Sequence, residues 1–479
     1  MSPEWLYTVV FFAWLAGAAM FVIGLHQMNS PATARGGNRV SALGMTIAVG
    51  TTLLYLVGRP EGLPTAAWII ILVGFLIGGG FGLYAARNVA MTAMPQLVSV
   101  FNAVGGGAAA LVAIDDYLRI SNQGQATVDE TIFVVLGAVI GSVTFTGSVI
   151  AAGKLQGLIS GKPIMIPAGR LVTVALAAVA VASTGALVWD AWQAGGASTW
   201  TLVIFGGIVA AGLLFGITMV LPIGGADMPV VISLLNSFTG TAAAMAGFVI
   251  GNPVLIIAGA LVGAAGGILT KLMADAMNRS IMNIIAGGFG GGEGTVGALT
   301  ETGGSVRAVT PDDVAIQLAY ASSVIIVPGY GLAVAQAQHA VRELAELLEA
   351  RGVDVKYAIH PVAGRMPGHM NVLLAEANVP YPQLKEMEEI NPEFERADVA
   401  LVIGANDVTN PAARRPGSPV SGMPILDVDH ARSIVVIKRS MGRGYAGIDN
   451  ELYTNPKTGM LFADAKAGLA ELISAVKAV

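Results

Sequence analysis

Residues 323–334 read SVIIVPGYGLAV and indicate the fold class of the C-terminal part of the chain. Its β-branched run, 323–327, is typical of a buried strand. Gly329 and Gly331 permit a tight turn, and residues 332–351 then repeat with helical periodicity. A strand, a glycine turn and a helix in this order are the first unit of a parallel α/β fold.

The residues around this unit extend the same pattern. Thr310-Pro311-Asp312-Asp313 predicts a helix start, with a capping threonine, a proline in the first turn and acidic residues beside it. Further strands are predicted at 353–359, 397–403 and 434–437, and an amphipathic helix at 463–479. We therefore predict a Rossmann-like α/β domain with a parallel sheet over residues 310–479.

The glycine turn also suggests a ligand. Gly-x-Gly-x-x-small between a strand and a helix brings a pyrophosphate close to backbone N–H groups. The motif alone is weak, but its position after a predicted strand strengthens it. The candidate nucleotide-binding residues here are Gly329, Tyr330, Gly331, Ala333 and Val334.

Charges at two strand ends favour one nucleotide over another. The second strand ends in Ile359-His360-Pro361, without the acidic residue that usually binds the ribose of NAD. Lys438, Arg439 and Ser440 follow the strand 434–437 and suit a 2′-phosphate. The alternative is a solvated basic turn. The strand-end position and the glycine-rich loop beside it favour NADP(H) over NAD(H).

Other loops at strand ends complete the predicted nucleotide cleft. They contain no metal-ligand cluster and no Ser/His/Asp arrangement; His360 and His369 are candidate bases, although lone loop histidines are more often structural. The further candidate cofactor residues are Ala363, Gly364, Arg365, Met366, Pro367, Gly404, Ala405, Asn406, Asp407, Val408, Gly444, Tyr445, Ala446 and Gly447.

Upstream of this domain the composition changes abruptly. Residues 281–309 are dense in glycine and predict a flexible linker. Residues 1–280 contain ten Lys or Arg and nine Asp or Glu, and the whole chain is 12% charged against about 25% in soluble proteins. This deficit excludes a purely soluble enzyme and a disordered chain. Zero Cys excludes a disulfide scaffold, a catalytic thiol and an iron–sulfur cluster.

The charge-poor part divides into apolar runs that are long enough to cross a bilayer, which takes about 20 helical residues. The first run lacks the features of a cleaved signal peptide, so we count it as a span. The nine predicted spans are 5–25, 40–57, 66–83, 95–114, 131–152, 171–188, 202–221, 229–250 and 253–270.

Positive charge orients these spans. Arg59 and Arg119 are the basic residues in the loops of one side, whereas the loops of the other side carry eight: Arg35, Arg39, Arg87, Lys154, Lys162, Arg170, Lys271 and Arg279. This asymmetry predicts an N-terminus outside the cell and a C-terminal domain in the cytoplasm. The nine spans themselves make residues 1–280 a transmembrane domain in a lipid bilayer.

Polar residues within the spans are neutral and few. Asn102 with Gly106, Thr144 with Ser148, and Ser233 with Asn236 and Gly240 each lie on one helical face. Three such faces would hold water and form a polar pathway across the bundle. Interhelical hydrogen bonding is the alternative interpretation, and it applies to most single Ser and Thr residues. Asp227 precedes the eighth span.

Six long segments of this chain resemble the β subunit of proton-translocating NAD(P)+ transhydrogenase. In the C-terminal domain they are GYGLAVAQAQ (329–338), IHPVAGRMPGHMNVLLA (359–375), IGANDVTNPA (403–412) and KRSMGRGYAGIDN (438–450). In the membrane domain they are GSVTFTGSVIAAGKL (141–155) and GGADMPVVISLLNSFTG (224–240). The resemblance covers nearly the whole chain, and motifs of this length are highly specific.

The resemblance implies a bacterial inner-membrane enzyme in which this chain binds NADP(H). A separate α subunit binds NAD(H), and hydride passes directly between the nicotinamides while a proton crosses the membrane. It further implies a dimer of the αβ assembly and no nucleic-acid partner. Family members bind the nucleotide in the opposite orientation to ordinary Rossmann enzymes. The absence of an acidic residue at the end of the second strand is therefore weaker evidence against NAD(H), because the usual ribose contact need not apply. Lys438 and Arg439 match the pair that binds the 2′-phosphate, the loop ending in Tyr445 matches a lid, and Asp407 matches an acid near the nicotinamide.

One residue departs from this family pattern. Some members have a membrane histidine where this chain has Asn102, so a proton would pass along Asn102, Ser148, Asn236, water and Asp227 without a mid-membrane imidazole. Two other functions fit a bundle joined to a nucleotide domain. One is a transporter or channel that is gated by the nucleotide, although the spans lack an acidic cluster. The other is a membrane anchor that only binds nucleotide.

Overall fold

The structure is a computed structural model, and it describes residues 3–58, 62–123, 127–161, 163–193, 199–225, 227–278, 280–287, 306–366, 368–416, 418, 420–444, 446 and 448–479. Contacts divide the chain into two compact units, Met1–Thr270 and Lys271–Val479.

The first unit is α-helical, as predicted. Within the described ranges, nine helices are long and apolar enough to cross a membrane, and they coincide with the nine predicted spans. The main difference is the second helix, which begins at Pro31 because a proline suits the first turn of a helix. The helices are α1 Pro3–Gln27, α2 Pro31–Val57, α3 Thr65–Asn88, α4 Met94–Gln123, α5 Val128–Gln156, α6 Gly169–Trp192, α7 Thr199–Val220, α8 Met228–Ile250 and α9 Pro253–Ala276.

Helix α5 lies at the centre of this bundle and packs against α4, α6, α7 and α8. Its N-terminus is fixed by a capping box, in which Thr127 and Glu130 satisfy each other's backbone N–H groups. Glycine allows its closest contact with α4, because a Cβ on Gly141 would lie 2.6 Å from the carbonyl oxygen of Gly106. Close backbone approach of this kind is the usual way in which helices associate in lipid.

The second unit contains a six-stranded, all-parallel sheet in the order β3-β2-β1-β4-β5-β6. Its strands are β1 Ser323–Pro328, β2 Asp354–Ile359, β3 Leu384–Glu386, β4 Val399–Ile403, β5 Ser433–Lys438 and β6 Thr458–Phe462. Its helices are α10 Ile281–Gly287, α11 Pro311–Ala319, α12 Tyr330–Val334, α13 Gln338–Glu349, α14 His369–Glu376, α15 Met387–Ile390 and α16 Ala465–Ala478. This fold confirms the predicted Rossmann-like class.

Several local predictions in this unit need adjustment. The four predicted strands are present, whereas the sequence patterns missed the two edge strands, β3 and β6. The single helix predicted over 332–351 is two helices, α12 and α13, because the chain turns at Gln336 with φ 49°. Thr310 caps α11 through a capping box with Asp313, as predicted. The first residues of the predicted linker form α10, and residues 288–305 lie outside the described residues.

Candidate functional site

The centre of the candidate nucleotide site is the point where the strand order reverses. β1 pairs with β2 on one side and with β4 on the other, so the loops after β1 and β4 diverge there. Ligands of open α/β sheets bind in this crevice, outside the carboxyl ends of the strands. The glycine turn follows β1, and Gly404 follows β4. The structure therefore brings the two predicted glycine loops together.

Glycine is required in the turn after β1 because its backbone touches the backbone of the β4 loop. A Cβ on Gly329 would lie 2.4 Å from the Cα of Ala405, and one on Gly331 would lie 2.7 Å from the Cα of Gly404. The Gly329 N–H donates to the Ile403 carbonyl at 2.9 Å, and the Gly331 N–H donates to the Gly404 carbonyl at 2.9 Å. These two amides are engaged by protein, so the turn serves to hold the β1 and β4 loops against each other.

The loop after β2 packs onto the same turn. The Arg365 guanidinium lies 4.6 Å from the centre of the Tyr330 ring, a cation–π distance. Nδ1 of the buried His369 accepts the Arg365 backbone N–H at 3.0 Å. Gly364 has φ 113°, and a Cβ there would lie 2.4 Å from that Nδ1. Ala363 is buried beside this turn, and Met366 accepts the His369 N–H through its carbonyl.

His360 has the structural role that is the more common one for a lone loop histidine. Its ring is 1% exposed, Nδ1 accepts the Val362 N–H at 3.3 Å, and Nε2 lies 2.9 Å from the Pro424 carbonyl. These contacts use both nitrogens of a neutral imidazole. Burial lowers the pKa of His360 to about 4. The hydrogen bond to Pro424 and the negative charge of Glu388 raise this pKa, but their effects are smaller than that of burial.

We expect this buried imidazole to make the second unit less stable in mild acid. Between about pH 6.5 and pH 4 the unfolded chain binds a proton at His360 that the folded chain does not. As the pH falls through this range, the free energy of unfolding should therefore decrease by up to about 3 kcal/mol. Hydrogen-exchange protection of the β4 amides in the full chain, corrected for intrinsic exchange, measures this change. His360→Gln should flatten the pH dependence, whereas the exposed His339→Gln should not. If stability depended on pH equally in both variants and in the parent chain, His360 would not be the source of the dependence.

The loop after β4 also contacts the glycine-rich segment that follows β5. The Asp407 carboxylate accepts the Ala446 N–H at 3.0 Å, and a Cβ on Gly444 would lie 2.4 Å from one of its oxygens. Val408 packs against the buried core and accepts the Leu426 N–H through its carbonyl. Tyr445, Gly447 and Pro367 lie outside the described residues.

The predicted phosphate-binding cations lie at the carboxyl end of β5. Arg439 and Ser440 are exposed, and Arg439 makes no ion pair with any residue that the structure describes. Lys438 is half-buried, and its ammonium donates to the Gly442 carbonyl. Burial lowers the pKa of Lys438, and the negative charge of Asp407 partly opposes that effect.

Polar groups of the first unit meet where α4, α5 and α8 pack together. The amide of Asn102, which is 5% exposed, donates to the Ile232 carbonyl at 3.3 Å. The Thr239 hydroxyl donates to the Asn102 carbonyl at 3.3 Å, and the Ser99 hydroxyl donates to the Ser148 carbonyl at 2.8 Å. The buried Ser148 hydroxyl has no hydrogen-bond partner among the described residues. Asn236 is half-buried on α8.

Two residues of the third predicted polar face, Ser233 and Gly240, contact α9. The hydroxyl of Ser233 donates to the Gly266 carbonyl at 3.3 Å, and that of Ser237 donates to the Gly263 carbonyl at 2.6 Å. Gly240 meets α9 closely as well, since a Cβ on it would lie 2.5 Å from the Gly263 nitrogen. These residues face α9, so interhelical hydrogen bonding is their role in this structure.

The comparisons with known proteins cover almost the entire chain. The family model described as NAD(P) transhydrogenase beta subunit matches residues 10–475. The chain belongs to this family. Two relatives named NAD(P) transhydrogenase subunit beta, both from Rhodospirillum rubrum and one from a defined strain, are each 48% identical over 472 residues. The aligned region covers 97% of this chain and 98% of each relative.

The fold also shows residues that the sequence patterns missed. Lys154 looked like a loop cation, but it is 4% exposed at the end of α5 and donates to the carbonyls of Leu221 and Ile223. These carbonyls precede Asp227, which is 8% exposed at the start of α8. In the second unit, Tyr453 lies beneath Lys438, with its ring centre 4.6 Å from the ammonium nitrogen. No local sequence pattern indicates either contact, because each joins the residue to another segment of the chain.

Proposed function

We propose that this β subunit binds NADP(H), exchanges hydride with NAD(H) held by a separate α subunit, and couples that exchange to proton movement across a bacterial inner membrane. The observation that carries the proposal is the convergence at the carboxyl ends of β1, β4 and β5. There the glycine turn, the Asp407 loop and the basic pair Lys438–Arg439 lie on one edge of the sheet.

The residues present fit a phosphorylated dinucleotide. Arg439 is exposed and forms no ion pair with a described residue, and such a guanidinium suits bidentate binding of a 2′-phosphate. The ammonium of Lys438 adds a second positive charge beside it. The bound NADP(H) supplies the hydride-carrying nicotinamide, whereas the chain binds the phosphate and orients the nucleotide. Asp407 would act on the nicotinamide side, where its contact with the Ala446 N–H links it to the segment after β5.

The energetics agree with a proton-coupled exchange. The two cofactors differ by a phosphate remote from the nicotinamide, so hydride exchange between them is nearly thermoneutral. One charge that crosses about 100 mV provides about 2.3 kcal/mol. That free energy shifts the product ratio roughly fiftyfold, at about 1.4 kcal/mol per decade.

For the proton we propose a path through Asn102, Ser148, Asn236, bound water and Asp227. This proposal is supported by the packing of α4 against α5 and α8, where Asn102 forms hydrogen bonds with α8 and Ser99 forms one with α5. The buried Ser148 hydroxyl offers an oxygen to which water can bind. We propose further that the N-terminus lies outside, that the C-terminal domain lies in the cytoplasm, and that two αβ assemblies form a dimer.

The test uses the full chain, co-expressed with an α subunit in membrane vesicles. Hydride transfer from NADH to an NADP+ analogue is measured with and without an uncoupler, and we expect the proton gradient to change its rate and extent. Without its α subunit, the chain should transfer no hydride. No transfer by the complete assembly, or transfer indifferent to the gradient in both directions, would overturn the proposal.

The same vesicles test the proton path. Asn236→Leu should lower the gradient-sensitive rate at least about tenfold, because it removes a polar group from a low-dielectric path. NADPH binding to the full chain should persist. Asn88→Leu is the matched control, since the exposed Asn88 amide donates to the Tyr84 carbonyl of its own helix. Normal coupling in Asn236→Leu would remove that residue from the path.

A further inference from the structure

The ammonium of Lys438 is held by three oxygen atoms, none of which carries a charge. It donates to the Gly442 carbonyl and lies 3.4 Å from the Tyr453 hydroxyl. The Asn406 amide is assigned with its oxygen toward Lys438, 3.1 Å away, because the opposite orientation would turn its NH2 group toward the ammonium. Three partners match the three N–H donors of an ammonium group. No carboxylate of the described residues lies within ion-pair distance of Lys438. Its position is therefore fixed by neutral partners, and the negative charge of Asp407 acts on it from beyond ion-pair distance.

Tyr453 is the buried member of these three partners, whereas Asn406 is half-buried and Gly442 is exposed. Tyr453 is 2% exposed in the short 3-10 helix Glu451–Thr454. Its hydroxyl donates to the Ala405 carbonyl at 3.0 Å and accepts from the Asn406 amide nitrogen at 3.1 Å. A hydroxyl that is held on both sides cannot rotate away from Lys438. The face of the same ring lies under the ammonium, with 4.6 Å between the ring centre and Nζ.

These contacts join the loop after β4 to the end of β5. Asn406 and Ala405 belong to the β4 loop, Lys438 ends β5, and the Asn406 oxygen also accepts the Gly444 N–H at 2.7 Å. A cation–π contact and a neutral hydrogen bond orient a cation without cancelling its charge. A carboxylate in the same place would neutralise the ammonium and remove its attraction for a phosphate.

We propose that Tyr453 is a positioning residue for nucleotide selectivity, which holds the Lys438 ammonium toward the 2′-phosphate that distinguishes NADP(H) from NAD(H). This inference rests on the proposed function, because it assumes that NADP(H) binds at this edge of the sheet. Tyr453 acts through Lys438 and does not itself contact the nucleotide.

The test is Tyr453→Phe in the full-length chain, which keeps the ring and removes the hydroxyl. The dissociation constants of NADPH and NADH are measured by equilibrium binding to the purified chain. We expect the NADPH value to rise about five- to tenfold, as for loss of one hydrogen bond of about 1 kcal/mol, and the NADH value to change less than about twofold. Tyr357→Phe, which alters another buried tyrosine on β2, should leave both values unchanged.

A double-mutant cycle separates positioning from a general structural role. In a Lys438→Ala background, Tyr453→Phe should have no further effect on NADPH binding, because its effect passes through the ammonium. Equal weakening of NADPH and NADH, no weakening of either, or an undiminished effect in the Lys438→Ala background would each overturn the inference. Failure of the unaltered chain to bind NADPH would instead overturn the proposed function.

Discussion

Replacing Lys438 and Arg439 together by alanine should weaken NADPH binding by at least about a hundredfold, while NADH binding changes little. Hydrogen bonds to a charged group contribute about 1.5–3 kcal/mol each, so two cations on one phosphate are worth two or more decades of affinity. Arg439 is exposed and free of ion pairs with described residues, and Lys438 is fixed beside it. The measurement is equilibrium binding of both nucleotides to the full chain.

A matched control removes the same amount of charge elsewhere. Lys466 and Lys477 lie on α16, and both are solvent-exposed. The double variant Lys466→Ala plus Lys477→Ala loses two positive charges and should retain NADPH affinity. If the two double variants weakened NADPH equally, long-range electrostatics would explain the loss. Equal loss of NADPH and NADH binding in the Lys438/Arg439 variant would refute the assignment of the 2′-phosphate.

The second large effect is expected for Gly404→Ala. Gly404 has φ 67°, and an added Cβ would lie 2.4 Å from the Cα of Gly331. Backbone atoms of a packed turn cannot move aside as a flexible side chain can. We expect the substitution to cost at least about 3 kcal/mol, from about 1–2 kcal/mol of left-handed strain plus the collision. NADPH affinity should fall about a hundredfold, because separation of the two loops displaces the whole site.

Gly352→Ala isolates the strain from the collision. Gly352 also has positive φ, 88°, but nothing lies within 4 Å of an added Cβ. It should cost only the backbone strain of about 1–2 kcal/mol and leave NADPH affinity unchanged. Hydrogen-exchange protection of the β1 and β4 amides reports stability, and equilibrium binding reports affinity. Similar losses in both variants would show that conformation, rather than contact between the two loops, sets the requirement for glycine.

The membrane spans were predictable from the sequence because lipid imposes a local rule. A helix that crosses the hydrocarbon region needs about 20 apolar residues wherever it packs, so hydropathy alone finds it. The central strands of the sheet were predictable for a similar reason, because strands buried on both faces are continuous apolar runs. The three-residue β3 and the edge strand β6 escaped, since strands that are short or include glycine lack this pattern.

The candidate site was only partly predictable. The glycine turn and Lys438–Arg439 carry local signals, and the long motifs indicated the family. Tyr453 carries none, since it reaches Lys438 only through folding of the segment after β5. Ser233 and Asn236 share a face in a helical projection, yet the position of α9 decides that Ser233 bonds to Gly266.

The nine apolar helices, the parallel α/β domain, and the glycine turn and basic pair at strand ends were predictable, because they follow from periodicity and from the chemistry of neighbouring residues. Other features appear only in the folded chain. Gly329 and Gly331 pack on the β4 loop, Lys154 is buried on backbone carbonyls, and Lys438 contacts Asn406 and Tyr453. These contacts join separate segments of the chain, so no local pattern encodes them.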